Sequence, residues 1–272
     1  MLKSNTKSLL TYQHQMKTCF FIITLLCTLL SSTAHAGLKI YYIRHAEGGH
    51  NVTQTWKDKG IPKSEWPSYV GNKNAFTPKG KTQVAAVPNK LKPYKFDFIA
   101  SSPLWRVRNT IAPYLRATNQ KAEIWPELRE GPGMLTILSK DLPEIKKDIL
   151  NKGPALDLPK EDTDVFSLRP DAENTYEWWP RDSGEKTKVA YVKYVTLHAI
   201  KMIEKRFGGS DSSILLAGHN SAGVSLMKLL IQDEPAEIAR RGLDNTGMWM
   251  VEQQEDGSYK LMIYNDKPFK QK

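Results

Sequence analysis

Apolar residues fall into short continuous runs separated by longer stretches with helical spacing. Leu38 to Ile43, Phe96 to Ala100 and Ile214 to Ala217 are short apolar runs rich in β-branched and aromatic residues. Runs of this length and composition predict buried strands. Ala122 to Trp125 is predicted as a further strand.

Helical patterns occupy the stretches between these runs. Thr77-Pro78 predicts a helix start, because threonine is a good N-cap and proline fits the first turn, and this helix runs to about Leu91. Leu104 to about Leu115 and Thr187 to Phe207 have apolar residues at helical spacing and predict two more helices. Ala222 to Ile231 is predicted as a fourth.

Alternation of strands with helices predicts the fold class. We expect a three-layer α/β/α fold with a mainly parallel central sheet. Met248 to Val251 and Leu261 to Tyr264 predict a closing hairpin across Asp256-Gly257. The segment from Glu47 to about Phe76 is polar, contains glycine and is predicted as a loop.

The regular pattern weakens in a long segment near the middle of the chain. Residues 131–186 are rich in Gly, Pro, Asp and Glu and are interpreted as an insertion within one domain, residues 37–272. Trp178-Trp179 is expected to anchor this insertion to the body of the domain. A lid over a pocket is the other interpretation.

The first 36 residues have the pattern of a secretory signal peptide. Three lysines precede the apolar run Cys19 to Leu30, and Ala34-His35-Ala36 offers a cleavage site before Gly37. The run has the length of a signal-peptide core and is short for a membrane span. We therefore expect an exported protein without stable membrane insertion after cleavage; an uncleaved anchor is the alternative.

Cysteine content and charge narrow the possible chemistry. Both cysteines, Cys19 and Cys27, lie in the leader, so the mature chain is expected to have no disulfide, thiolate metal site or cysteine nucleophile. The net charge of +10 includes three leader lysines. The remaining positive charge fits either general solubility or a preference for anionic substrates. No stretch resembles a nucleic-acid-binding module.

Two histidines follow predicted strands at equivalent places. His45 comes directly after the first strand, and His219 follows the run Ile214 to Ala217. Loops at the carboxyl ends of strands line the ligand crevice of an open α/β sheet, so both rings are expected to face one pocket. A single histidine in such a place is more commonly a structural hydrogen-bonding group. His50 could contact the substrate, but we expect it to be an exposed loop residue.

Arginines stand beside these histidines. Arg44 precedes His45, and Arg106 lies in the first turn of a predicted helix. A phosphoryl group requires dense positive charge and forked donors, which arginine supplies, and helix N-termini add oriented N–H groups. The joint placement of these residues predicts a phosphate-binding site.

With these residues in order, the chain resembles the histidine phosphatase superfamily, also called phosphoglycerate mutase-like. The resemblance covers Leu38 to about Leu230. Its motif positions are Arg44-His45-Ala46, Asn51, Thr77, Gly80, Gln83, Ser102, Leu104, Arg106, Thr110, Leu128, Glu130 and His219.

The resemblance implies a role for each matching residue. His45 would be the nucleophile and form a phosphohistidine, which divides one displacement into two easier ones. Glu130 would protonate the leaving oxygen and then activate water. No metal or other cofactor is implied. The residues implied to hold the phosphoryl oxygens are Arg44, Asn51, Arg106 and His219.

The chain departs from the family pattern at several positions. Ala46 replaces a glycine, and Gly48 replaces a frequent serine that could donate to phosphate. The second arginine and the proline of the acid phosphatase and phytase branch are absent, and Asn220 stands where that branch has aspartate. These differences favour the mutase-like branch. Glu127 and acids of the insertion are alternative proton donors.

The resemblance implies a phosphomonoester hydrolase acting on a small phosphorylated substrate. The alternatives are a phosphoglycerate-type mutase, which export argues against, and a catalytically silent protein that binds phosphorylated ligands or a partner. The sequon at Asn51 would place a glycan at the pocket in a eukaryotic secretory pathway. We therefore expect a bacterial exported protein, periplasmic or secreted.

Overall fold

A computed structural model describes residues 37–130, 137–146, 150–152, 155–170, 178–181, 184–235, 238 and 241–270. The predicted signal peptide and its cleavage site lie outside these residues, and so does much of the predicted insertion. The side chains of Trp178 and Trp179 lie outside them as well, so the anchor and lid interpretations both stay predictions.

Eight strands form the main sheet of the described chain, and two form a small separate sheet. The strands are β1 Lys39–Arg44, β2 Phe98–Ser101, β3 Ala122–Ile124, β4 Leu150–Lys152, β5 Phe166–Leu168, β6 Trp178–Pro180, β7 Ser213–Gly218, β8 Met248–Gln253, β9 Tyr259–Tyr264 and β10 Lys267–Pro268. The main sheet has the order β10-β9-β8-β1-β7-β2-β3-β5. Within this order, the neighbours among β1, β7, β2, β3 and β5 pair parallel. Strands β8, β9 and β10 pair antiparallel with their neighbours. The mainly parallel sheet predicted from the sequence is confirmed.

Apart from the short α1, the helices lie between the strands where the sequence predicted them. They are α1 Thr53–Asp58, α2 Pro78–Leu91, α3 Trp105–Thr118, α4 Glu185–Phe207 and α5 Asn220–Ile231. Helix α2 begins at the predicted place because the Thr77 hydroxyl accepts a 2.9 Å hydrogen bond from the Gly80 N–H. None of the helices in the described ranges is long and apolar enough to cross a bilayer.

Strand β1 separates two hydrophobic cores, one on each face of the sheet. Ile40 and Tyr42 belong to the core that contains apolar residues of α4 and α5. Tyr41 and Ile43 belong to the core that contains apolar residues of α2 and α3. Alternate residues of a strand point to opposite faces, so this one buried strand supports both helical layers. The three-layer α/β/α prediction is therefore confirmed.

Short elements are the main difference from the sequence-based prediction. The segment predicted as a loop between Glu47 and Phe76 contains α1 and two 3₁₀ helices, Gly49–Val52 and Lys63–Glu65. Strand β5, which lies within the predicted insertion, forms an edge of the main sheet beside β3. These short elements lie in polar or Gly- and Pro-rich segments, where neither a continuous apolar run nor helical spacing indicates them.

Two ion pairs connect α3 to the segment before β5, and they differ greatly in burial. Arg108 and Asp162 are 2.7 Å apart, with side chains 6% and 9% exposed. Arg116 and Asp164 are also 2.7 Å apart, with side chains 47% and 51% exposed. A buried charge that loses its partner costs far more than an exposed one, because water cannot replace the partner.

We predict that Asp162→Ala lowers the free energy of unfolding by about 3–5 kcal/mol, because it leaves Arg108 charged and buried. The matched variant Asp164→Ala should change stability little. Urea denaturation followed by circular dichroism measures both. Equal losses of unfolding free energy in the two variants would contradict the conclusion that burial makes the pair of Arg108 and Asp162 the more important one.

Candidate active site

The two predicted site histidines lie side by side at the carboxyl ends of neighbouring parallel strands. His45 follows β1 and His219 follows β7, and these strands pair in register up to Arg44 and Gly218. The ring centroids are 5.2 Å apart with an interplanar angle of 63°. The residues are 1% and 0% exposed. The strand ends therefore bring together two imidazoles that are distant in sequence.

The Arg106 guanidinium connects the two rings and Glu130. Its Nε donates to His45 Nε2 at 3.3 Å, and one Nη donates to His219 Nδ1 at 3.3 Å. The same Nη donates to Glu130 Oε2 at 2.6 Å. Arg106 is 5% exposed. A buried guanidinium with one carboxylate partner can still stabilise further negative charge.

His45 is held as a neutral ring with its Nε2 lone pair on the Arg106 side. Nδ1 lies 2.7 Å from the carbonyl oxygen of Ala46, which can only accept, so Nδ1 carries the proton. Burial lowers the pKa of His45 well below 6.5, and the charges of Arg106 and Arg44 lower it further. A neutral imidazole with a free lone pair is the form needed for nucleophilic attack.

His219 is fixed through both its ring and its backbone. Nε2 lies 2.9 Å from the Ser102 hydroxyl. The Tyr42 hydroxyl accepts from the His219 N–H at 2.6 Å and donates to the His219 carbonyl at 3.0 Å. Burial is the main cause that lowers the pKa of His219 well below 6.5, and His45 and Arg106 add to it. This ring is therefore neutral as well.

Two further arginines contribute positive charge. An Nη of Arg44 donates to the Leu243 carbonyl at 2.5 Å. Burial lowers the pKa of Arg44, whereas the negative charge of Glu130 raises it. The charge of Arg129 lowers the pKa values of Arg106 and His219. Arg129 was not identified from the sequence, because a lone arginine before Glu130 has no distinguishing pattern.

The geometry separates the two candidate proton donors. Glu130 contacts Arg106 and is 3.7 Å from His219 Nδ1, with a side chain 39% exposed. Glu127 instead accepts two hydrogen bonds from Arg169, at 3.0 and 3.1 Å, and lies 3.2 Å from His198. Burial raises the pKa of Glu127, but hydrogen bonds from His198 and Arg169 outweigh this effect and hold the pKa below its ordinary value. Glu130 is the carboxylate next to the paired histidines.

Asn51 is fixed to the loop backbone. Its Oδ1 accepts from the Gly48 N–H at 2.9 Å, which leaves its amide nitrogen available to donate. Among the hydrogen bonds of the described ranges, none joins Asn51 to His45, Arg106 or His219. The structure thus does not place Asn51 with the clustered side chains, and its phosphate contact stays a prediction.

The helix-start motif at the beginning of α2 holds the loop that follows His45. Gln83 accepts from the Glu47 N–H at 2.8 Å, and the Thr77 hydroxyl donates to the Glu47 carboxylate at 2.7 Å. A Cβ at Gly80 would lie 2.0 Å from the Glu47 carbonyl oxygen, so only glycine allows this approach. Thr110 adds a further tie by accepting from the Ala46 N–H at 2.9 Å.

His50 differs from its predicted exposed position. It is half-buried, and its ring centroid lies 5.4 Å from that of His45. The prediction was wrong because a 3₁₀ helix, Gly49–Val52, turns the chain back toward the site. The two preceding glycines, Gly48 and Gly49, are the sequence signal that could have indicated this close approach. Among the described residues, no group of three or more His, Cys, Asp or Glu side chains could hold a metal ion.

Comparison with known families gives a match to the part of the chain that carries most of this site. Residues 40–140 match the model described as histidine phosphatase superfamily (branch 1). The resemblance identified from the sequence, including its mutase-like branch, is thereby confirmed. No curated protein sequence matches the chain.

Solved structures with a similar fold are phosphatases by their descriptions. One is phosphoserine phosphatase from Entamoeba histolytica in complex with 3-phosphoglyceric acid, with 19% identity, a TM-score of 0.50, and coverage of 85% of this chain and 98% of that one. Another is a putative alpha-ribazole-5'-P phosphatase from Escherichia coli, with 15% identity, a TM-score of 0.49, and coverage of 87% of this chain and 100% of that one. A third is a mycobacterial glucosyl-3-phosphoglycerate phosphatase, with 18% identity, a TM-score of 0.48, and coverage of 84% of this chain and 99% of that one. At 19% identity, the similarity to the Entamoeba histolytica structure supports the fold of this chain and nothing beyond the fold.

We predict that the stability of the folded chain falls as the pH drops below about 6.5. The pKa values of His45 and His219 are depressed in the folded state, so the unfolded state binds more protons in this range. Above pH 6.5 these two residues contribute no pH dependence. Thermal unfolding between pH 5 and 8 should show a steeper acid decline for the wild type than for the variant with His45→Gln and His219→Gln. Parallel curves would contradict the buried neutral state.

Proposed function

We propose that this chain, whose residues 40–140 match the histidine phosphatase superfamily (branch 1), hydrolyses phosphomonoesters through a phosphohistidine on His45, without a metal ion. The observation that carries the proposal is the state of His45. It is a buried neutral ring whose Nε2 lone pair lies 3.3 Å from the Arg106 guanidinium and whose centroid lies 5.2 Å from that of His219. This arrangement combines a nucleophile with donors for phosphoryl oxygens.

In the first step, His45 Nε2 attacks phosphorus and the bond from phosphorus to the ester oxygen breaks. Arg106 and Arg44 stabilise the negative charge of the transferred group. Glu130 gives its proton to the departing oxygen, so the products are an alcohol and a phosphohistidine. The 2.6 Å contact between Arg106 and Glu130 supports this role, because it puts the carboxyl group beside the same guanidinium as the nucleophile.

In the second step, water attacks the phosphorus and the bond to His45 Nε2 breaks. Glu130, now ionised, takes the proton of the attacking water and returns to its starting state. His45 regains its lone pair, and its Nδ1 keeps its proton and its hydrogen bond to the Ala46 carbonyl throughout. The net reaction converts a phosphomonoester and water to an alcohol and inorganic phosphate.

The proposal includes export of the mature domain. The basic, apolar and cleavage-site regions of residues 1–36 support it, as does the position of both cysteines within that leader. A periplasmic or secreted enzyme would meet phosphomonoesters outside the cytoplasm, and residues 131–186 are the segment most suited to selecting among them.

The nucleophile is tested with 4-nitrophenyl phosphate and the purified mature chain. Release of phosphate is expected from the wild type, and His45→Ala should reduce it at least about a thousandfold because the variant lacks the proposed nucleophile. Rapid quenching of the wild type should trap an acid-labile, alkali-stable phosphoenzyme that the variant lacks. Interconversion of phosphoglycerates without release of phosphate would overturn hydrolysis in favour of a mutase.

The proton donor is tested by comparing leaving groups. Glu130→Gln should lower kcat by about 10²–10⁴-fold for an alkyl phosphate, whose departing oxygen needs a proton. The loss should be much smaller for 4-nitrophenyl phosphate, whose phenolate leaves without one. The matched variant Glu127→Gln should lower the melting temperature, because Glu127 pairs with buried Arg169, while kcat stays near that of the wild type. The reverse pattern in the two variants would assign the proton to Glu127.

A further inference from the structure

His50 lies next to the proposed nucleophile, but the reaction described above does not use it. Its ring centroid is 5.4 Å from that of His45, with an interplanar angle of 44°. It occupies the first turn of the 3₁₀ helix Gly49–Val52, directly after the loop that carries His45. An exposed loop would have left this ring in solvent, so its position requires an explanation.

Two glycines allow the ring to reach this position. A Cβ at Gly48 would lie 2.8 Å from both Cε1 and Nδ1 of His50. A Cβ at Gly49 would lie 1.5 Å from the Tyr69 carbonyl oxygen. The neighbouring backbone therefore excludes a side chain at Gly49, whereas at Gly48 a side chain would collide with the His50 ring. The ring of His50 occupies the space beside Gly48 into which a serine side chain would project.

The two nitrogens of His50 have different surroundings. Nδ1 is buried and has no hydrogen-bond partner in the described structure. Burying an unpaired lone pair is less costly than burying an unpaired N–H, so Nδ1 is the unprotonated nitrogen and Nε2 carries the proton. The residue as a whole is only half-buried. His50 thus has an N–H donor at Nε2.

The surroundings of His50 are strongly positive. Burial lowers its pKa to about 4, and the charges of Arg106, Arg44 and Lys73 contribute to the shift. His45 is the neighbouring titratable ring. A bound dianion would interact favourably with these three cations and with the N–H donor of the half-buried imidazole.

We propose that His50 is a further phosphoryl-binding residue, which donates from Nε2 to an oxygen of the group transferred to His45. This inference rests on the proposed function and adds a ligand-binding residue to it. It also accounts for Gly48, because the imidazole donor takes the place of the hydroxyl that serine would supply there.

The test compares two substitutions at His50 with opposite consequences. Gln keeps an N–H donor near the position of Nε2, whereas Phe keeps the shape of the ring and loses the donor. We expect His50→Phe to raise the inhibition constant of inorganic phosphate about tenfold, or about 1.4 kcal/mol, and His50→Gln to raise it at most about threefold. If the ring only packs the loop, His50→Phe will match the wild type and His50→Gln will be the weaker binder, which overturns the proposal.

Binding is also measured without catalysis, in the His45→Ala background, by titration calorimetry with inorganic phosphate. Addition of His50→Phe should weaken binding there by a similar factor, while His198→Phe, which replaces the histidine beside Glu127, should not. Absence of phosphate binding in both His45→Ala and the double variant overturns the proposal. An inactive wild type that binds phosphate through His50 would refute hydrolysis but keep His50 as a phosphate-binding residue.

Nuclear magnetic resonance of ¹⁵N-labelled histidine gives a direct readout of the contact. Phosphate should raise the pKa of His50 from about 4, because a neighbouring dianion favours the imidazolium. An unchanged titration curve at saturating phosphate contradicts the contact. Melting temperatures of all the variants used in these tests serve to show that each is folded.

Discussion

The guanidinium of Arg106 is the group on which the candidate site depends, because an arginine can donate hydrogen bonds but cannot accept them. Its contacts with His45 Nε2 and His219 Nδ1 require a lone pair on each of those nitrogens. The remaining proton of each ring must then lie on the opposite nitrogen, which faces the Ala46 carbonyl in one case and the Ser102 hydroxyl in the other. One buried cation therefore sets the tautomer of both histidines.

This arrangement requires the backbone of two loops to be held rigidly. Tyr42 uses one hydroxyl to bind both the N–H and the carbonyl of His219. Gln83 and Thr77 hold the residue after Ala46, and Asn245 donates to the His45 carbonyl at 3.1 Å. These groups come from β1, from the start of α2 and from the loop before β8. Elements distant in sequence thus hold the backbone of the two histidines and keep their ring nitrogens aligned.

The sequence was sufficient to predict those parts of the fold that repeat a pattern over many residues. The helix Pro78–Leu91 was predicted to its last residue, and the other long helices and the strands of the parallel sheet were placed to within a few residues. Strand Phe166–Leu168 was missed because a serine interrupts its apolar residues and the surrounding segment is rich in Gly, Pro, Asp and Glu. It lies in the segment interpreted as an insertion, yet it pairs with β3 in the main sheet.

The candidate site could be predicted where a residue directly follows a strand. His45, His219 and Arg106 are placed by elements whose ends the apolar pattern shows, so their convergence follows from the order of the strands. His50 and Arg129 are placed by short turns, whose direction depends on contacts between distant backbone segments. No periodic pattern encodes that direction, and the paired glycines before His50 were the nearest available signal.

The charges of the site favour a phosphomonoester over a diester. The negative charge of Glu130 acts on both Arg44 and Arg106, and burial lowers the pKa of each guanidinium. A monoester carries two negative charges near neutral pH and a diester only one, so the monoester balances the guanidinium groups more fully. Its oxygens would also compete with Glu130 for Arg106. In the proposed reaction this competition would release the Glu130 carboxyl group from Arg106 and leave it beside the leaving oxygen. The ion pair between Arg106 and Glu130 is therefore the contact that substrate binding would replace.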